Sequence, residues 1–317
     1  MRREAIDLDQ WPASALADQI DERIAKAEGS DRTGAQRLRR YPRLAVAVDE
    51  HTIEVAGETV FYRDAPGNGP TVLYLHSVPT SSDDWLDFLE RRGGLAVDVL
   101  GFGRSSKASN LVYTLPSYVD FLERFLDAVD VDRLAIVGHG WGAALGLAFA
   151  QRHPERIDGL VLIDAVPLLE GFQWPPIVRR WRTVGVGELV MGSVNRWLLA
   201  RTLRSGAVSP EAWPDARIAA VWEQFDQGTQ RAMLRLHRSI DPAGLAAAGA
   251  DLEQLWMPAL VLWGERDPWL APAFADAYGR RLPGAQVEHI DQAGHWPWLD
   301  QPAVVDRVAA FTSGLTD

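Results

Sequence analysis

At 317 residues, 47% hydrophobic and 24% charged, the chain has the make-up of a globular protein long enough for one large α/β domain with an insertion. Its net charge of −11, from 32 basic against 43 acidic residues, argues against nucleic acid or an anionic membrane surface as a partner, since both need a basic face. The absence of cysteine removes disulfides and thiolate catalysis or ligation, and no apolar signal-like or membrane-length run is present, so a cytoplasmic protein is the default expectation.

Residues 1–48 form a polar, charge-rich leader with a helix expected over Pro12 to Ala27. Its basic cluster, Arg37, Arg39, Arg40 and Arg43, fits a solvated face better than a docking surface. From Thr52 the period changes to two: Thr52 to Ala56 and Thr59 to Tyr62 alternate around a Gly-containing turn, which predicts a hairpin. Thr71 to Leu75 is more continuously apolar, as a strand buried on both faces should be. It delivers His76-Ser77-Val78-Pro79-Thr80-Ser81-Ser82 and a helix starting near Asp83 to Leu86. A strand at Leu95 to Asp98, a turn at Gly101 to Ser105 and an amphipathic helix from Ser117 to Val129 follow.

Next comes the stretch around which the chain is organised. An apolar run, Leu134 to Val137, enters Gly138-His139-Gly140-Trp141-Gly142, and a run of small residues from Ala143 leaves it: a strand, a sharp turn and a helix. The glycine spacing is that of a nucleophile elbow, where small flanking residues let strand and helix pack closely and the central side chain is thrust outward. The central residue here is Gly140, which offers no nucleophile.

Leu160 to Asp164 is another buried strand, after which the alternation stops over residues 166–251. That segment predicts an inserted helical cap, rich in Arg and in Trp (Trp174, Trp181, Trp197, Trp213, Trp222) and punctuated by Pro and Gly. Strands return at Ala259 to Trp263 and Gln286 to Ile290, with helices expected near Pro272 to Arg280 and Pro302 to Leu315. The pattern specifies an open, doubly wound, mostly parallel α/β sheet: residues 49–165 and 252–317 as core, 166–251 as cap.

Ligands of open α/β sheets bind outside the carboxyl ends of the strands. Five such ends carry candidates: His76-Ser77-Val78, Gly140, Asp164, Gly264 to Asp267, and Gly294-His295-Trp296. The order elbow, acid, histidine is that of triad partners in the α/β-hydrolase fold. The chain resembles that superfamily from about Thr52 to Thr316, and most resembles the capped branch containing epoxide hydrolases and haloalkane dehalogenases. Gly-His-Gly-Trp-Gly is similar to the branch's Gly-His-Asp-Trp-Gly, His76 to Ser82 resembles its His-Gly-x-Pro-Thr-Ser-Ser, and Asp98 to Ser105 resembles its Asp-x-Pro-Gly-x-Gly-x-Ser loop.

The resemblance implies an eight-stranded sheet, His295 as general base and Asp267 as its orienting carboxylate, with Asp164 as the alternative acid. It implies oxyanion donors at the backbone of Trp141 and Val78, with Ser77 and His76 alongside. In dehalogenase-like members the elbow Trp also binds the leaving halide with an Asn as second donor; Trp141 is present, but the second position is Val78. Epoxide hydrolases place two cap tyrosines over the epoxide; residues 166–251 contain none, and only Tyr113 and Tyr118 outside the cap stand in reserve. Ser77 replaces the usual glycine beside the hole, narrowing the approach or adding a hydroxyl donor.

Three readings of Gly140 remain open: a dyad enzyme that activates water or takes a substrate proton without a covalent intermediate; a covalent hydrolase inactivated by substitution at 140; and a binding protein on a hydrolase scaffold. The tryptophans, including Trp141, Trp296 and Trp298, suggest a small hydrophobic or aromatic substrate, with two or three lining the cavity and the rest in the core. Arg179, Arg180 and Arg182 fit surface charge better than an anion site. No metal or organic cofactor is implied, and a homodimer is the assembly considered.

Overall fold

The computed structural model describes residues 46–315. The expected leader helix over Pro12 to Ala27 and the basic cluster at Arg37 to Arg43 lie outside the described residues. Eight strands form one sheet in the order β1-β2-β4-β3-β5-β6-β7-β8. They are β1 (Asp49–Val55), β2 (Glu58–Ala65), β3 (Val72–Leu75), β4 (Gly94–Val97), β5 (Leu134–His139), β6 (Ile157–Ile163), β7 (Ala259–Gly264) and β8 (Gln286–Ile290). Only the pairings of β2, with β1 and β4, are antiparallel.

The sequence patterns account for this layering. β3, β5, β6 and β7 read as near-continuous apolar runs because helices cover both faces, and every residue in them is buried. β1, at the edge, alternates and is largely exposed. Its hairpin partner β2 follows Ala56 and Gly57, both at positive φ (53° and 84°), which suits a two-residue turn between twisted strands.

The sheet is flanked by α1 (Leu86–Arg92), α2 (Leu115–Ala128), α3 (Trp141–Arg152), α10 (Ala273–Arg281) and α12 (Ala303–Ser313). The Thr114 hydroxyl accepts from Ser117 N–H to cap α2, whose inward stripe of Tyr118, Phe121, Leu122 and Phe125 follows helical spacing. α3 is buried almost all round, and Gly142 at its start packs so close to β3 that a Cβ would collide with the Leu75 carbonyl.

Between β6 and β7 the chain leaves the sheet for α4 (Pro176–Arg182), α5 (Val186–Gly192), α6 (Arg196–Ser205), α7 (Asp215–Gln224), α8 (Gln227–Ser239) and α9 (Pro242–Ala248). α8 starts where the Asp226 carboxylate accepts from Thr229 N–H at 2.8 Å, and turns Ala232, Met233, Leu236 and His237 inward. A short α11 (Pro297–Asp300), which patterning did not anticipate, separates β8 from α12. Among the described residues no helix is long and apolar enough to cross a membrane.

Candidate active site

β3, β5, β6, β7 and β8 are neighbours in the sheet and all run parallel, so their carboxyl ends open on one side. Gly140 joins β5 to α3 at φ 51°, ψ −114°, a left-handed backbone that glycine adopts without steric cost. Its amide donates to the Ile163 carbonyl and its carbonyl accepts from Val166 N–H. The turn is therefore held from both sides.

The room beside Gly140 is taken. A Cβ there would stand 2.7 Å from Ser77 Cβ, inside the contact distance of Ser77 Oγ, and 3.8 Å from His295 Nε2. The Ser77 hydroxyl accepts from the backbone N–H of Trp141 at 3.3 Å. Among the described residues its own proton has no acceptor.

His295 Nδ1 lies 2.7 Å from Asp267 Oδ2, and Asp267 Oδ1 accepts from the Trp269 and Leu270 amides at 2.7 and 3.0 Å. Both carboxylate oxygens are thus committed and the aspartate cannot swing away. This arrangement puts the imidazole proton on Nδ1 and leaves the Nε2 lone pair without a protein partner among the described residues. The rings of Trp269 and Trp296 stand edge-on to His295, each at 4.9 Å. Its backbone is pinned twice: its amide donates to the Gly206 carbonyl, and its carbonyl accepts from His139 Nε2, both at 2.7 Å.

Asp164, at the end of β6, accepts from Gly264 N–H at 3.1 Å and adopts a positive φ of 41°. Burial, then the neighbouring Asp267 charge, pushes its carboxyl well above the usual range. Asp164, Asp267 and His295 each bring one ligand atom within 4.8 Å of the others, a spacing a metal ion could also use. The direct bond from His295 Nδ1 to Asp267 instead gives the group the chemistry of an oriented base.

The three parts meet in a cavity of ≈ 170 Å³ lined by Ser77, Val78, Trp141, His295 and apolar residues of α4, α5, α6 and α8. A cavity of about 150 Å³ lined by Leu, Ile and Phe accepts benzene. Over the elbow, Trp141 stacks on Trp174 with ring centroids 5.8 Å apart, and its indole N–H donates to His237 Nε2 at 3.1 Å. His237 Nδ1 donates in turn to the Met233 carbonyl at 2.8 Å. Burial lowers the His237 pKa to about 4, against the opposing effect of that carbonyl, so the ring is neutral and accepts the indole proton.

The alpha/beta hydrolase fold family model matches residues 70–302. The chain belongs to that family. It is a hydrolase-family enzyme, and its relatives are dehalogenase-like. It is 29% identical over 290 residues to a haloalkane dehalogenase of Mesorhizobium japonicum, covering 84% of this chain and 92% of that one. A haloalkane dehalogenase of Bradyrhizobium diazoefficiens is 25% identical over 301 residues, covering 85% and 96%. Among solved structures, the haloalkane dehalogenase DbeA from Bradyrhizobium elkani USDA94 superposes with a TM-score of 0.74 at 26% identity, over 84% of this chain and 98% of that one.

Within this hydrolase fold, Ser77, Val78, Trp141 and His295 line the cavity, Gly140 lies against Ser77 and near His295 Nε2, and Asp267 stands directly behind His295. His76 does not line it. Its Nδ1 donates to the Ser77 carbonyl at 2.7 Å and its Nε2 accepts from Val99 N–H at 3.0 Å, so it fixes the loop that carries Ser77. That corrects the expectation of a pocket residue: a histidine with both nitrogens committed to backbone is structural. Tyr113 and Tyr118 are likewise away from the cavity, Tyr118 donating to the Leu100 carbonyl.

Of the tryptophans between β6 and β7, Trp174 and Trp181 line the cavity. Trp213 is buried against Trp296, and Trp197 is exposed. Arg182 bonds the His237 and Ile240 carbonyls and lies over the Trp174 ring, while Arg179 and Arg180 are exposed.

Two residues escaped the sequence reading. His139 lies within the elbow motif, and nothing in the sequence marks it as the donor to the His295 carbonyl. His237 sits mid-helix, and its only signal is an imidazole on an otherwise apolar face, a weak one because such histidines serve many structural ends.

Proposed function

We propose that this protein is an enzyme in which His295, oriented by Asp267, acts as a general base on a small hydrophobic organic substrate, taking a proton from water or from the substrate itself without a covalent bond to residue 140. The observation that carries this reading is the pairing of a positioned base with a filled nucleophile site. Nε2 faces the place where an elbow side chain would stand, and Ser77 already occupies that place.

The same fit favours Gly140 as a residue matched to its surroundings over a lesion. A covalent hydrolase that lost its carboxylate at 140 alone would hold a void there, whereas the Ser77 side chain fills it. Dehalogenation is disfavoured on a second ground. The Trp141 indole N–H, the halide donor that the resemblance implies, is committed to His237. The Asp267 bond that fixes the His295 tautomer, with the two bonds that pin its backbone, speaks against a mere binding protein, which has no use for an oriented base.

A positioned general base contributes about 10²–10⁴-fold to a rate. The test is turnover of a panel of single-ring esters, ketones, epoxides and haloalkanes by the native enzyme and by His295→Ala. Loss of at least about 10²-fold in kcat on every accepted substrate supports the reading. Turnover that survives His295→Ala sinks it.

A further inference from the structure

We propose that the side chain of Ser77 is a catalytic residue: its hydroxyl is the oxyanion donor of this site, and it selects substrates with a carbonyl oxygen. This deepens the base reading and rests on it. The backbone N–H of Trp141, at the start of α3, would ordinarily face a substrate oxygen directly. Here that N–H is spent on Ser77 Oγ at 3.3 Å.

Ser77 is buried and lines the cavity, and its hydroxyl proton finds no acceptor among the described residues. A hydroxyl that accepts a hydrogen bond becomes a stronger donor, because chained bonds polarise one another. Ser77 therefore carries the donor function of the elbow outward by one bond. Nε2 of His295 faces the same point from the other side, 3.8 Å from where a Cβ on residue 140 would stand, with its lone pair free.

A substrate placed between them must present an acceptor to Ser77 and an acidic proton to His295. In a ketone, Nε2 takes a proton from the α-carbon, the C–H pair becomes the C=C of the enolate, and the carbonyl π pair moves onto the oxygen held by Ser77; the imidazolium then returns the proton. In an ester, Nε2 takes a proton from water, the water oxygen bonds to the carbonyl carbon, and the oxyanion collapses as the imidazolium protonates the departing alkoxide. Ser77 keeps its own proton in both. The apolar lining and cavity of ≈ 170 Å³ suit one ring bearing such a carbonyl.

The probes are ¹³C=O-labelled acetophenone and 4-nitrophenyl acetate, with native enzyme, Ser77→Ala, Ser77→Thr and His295→Ala. Infrared difference spectra of bound acetophenone are expected to show a carbonyl stretch lowered by the native protein and restored toward its unbound value in Ser77→Ala. Either α-deuterium exchange of the ketone or hydrolysis of the ester is expected to lose about 10²–10³-fold in kcat in Ser77→Ala, with KM and the pH midpoint nearly unchanged and partial recovery in Ser77→Thr. The arm that responds distinguishes the carbon acid from the acyl substrate. Identical spectra in native and Ser77→Ala protein, including absence of binding to both, overturn the proposal. An acyl mass retained on Ser77 during ester turnover also overturns it, since the residue would then be a nucleophile. If Ser77→Ala is silent while His295→Ala abolishes turnover, this inference fails and the base reading survives; if His295→Ala is silent, the base reading fails.

Discussion

Ser77 and Gly140 share one side-chain volume. A Cβ on Gly140 would stand 2.7 Å from Ser77 Cβ, closer than packed carbons approach, so the serine on the β3 loop and the glycine at the elbow are complementary. Gly140→Asp is expected to destabilise the protein by about 1–3 kcal/mol through overpacking. Ser77→Gly/Gly140→Asp is expected to recover most of that, with a coupling of about 0.5–3 kcal/mol in a urea-denaturation double-mutant cycle. Additive effects would show that the two residues do not compete for space.

The Asp267 carboxylate holds the His295 tautomer through a 2.7 Å bond. An asparagine can present its amide N–H to Nδ1 and trap the wrong tautomer, so Asp267→Asn is expected to cut kcat by up to about 10⁴-fold with little change in folding. Asp164→Asn keeps a side chain able to donate toward Asp267, and is expected to cost less than about tenfold. Steady-state kinetics and thermal melts of both variants check this; equal losses would move the orienting role to both acids.

His237 makes stability depend on acid. Its folded pKa is lowered to about 4 from 6.5, chiefly by burial. Between those values the unfolded chain binds a proton that the folded chain refuses, so stability falls as pH falls through that window, by up to roughly 3 kcal/mol from this group. His237→Phe is expected to flatten the urea-measured slope between pH 6.5 and 4, and to cost about 1–2 kcal/mol at pH 7.5 by orphaning the Trp141 N–H. His76 and His139, also lowered by burial, keep part of the slope in place. An unchanged slope contradicts the assignment.

Asp84 works in the opposite sense. Burial lifts its carboxyl to about 6 despite Arg217 at 3.7 Å. Its contribution is fully present below the unfolded value of 3.8 and is lost as pH rises through about 6, when the buried group must ionise. Asp84→Asn is therefore expected to stabilise by about 1–3 kcal/mol at pH 8 and by almost nothing at pH 4. Equal effects at both pH values would contradict it.

Much of the fold was legible because each layer leaves a periodic trace. Near-continuous apolar runs marked β5, β6 and β7, and strict alternation marked β1. The glycines of the elbow marked the strand-to-helix turn, and loops at adjacent strand ends gathered Ser77, Val78, Asp164, Asp267 and His295. What the sequence did not carry is long-range pairing of side chains. No local pattern says that Ser77 fills the space beside Gly140, that His237 takes the Trp141 indole, that His139 holds the His295 carbonyl, or that His76 turns away from the cavity. Those depend on which rotamer meets which surface after the sheet has closed.

The most direct test of the account is rapid-quench intact-mass spectrometry of the native enzyme during turnover of any accepted ester, ketone, epoxide or haloalkane. The account predicts that product accumulates while the protein mass stays that of the free chain at every time point. An alkyl or acyl mass on the protein that forms and decays at the catalytic rate would contradict it.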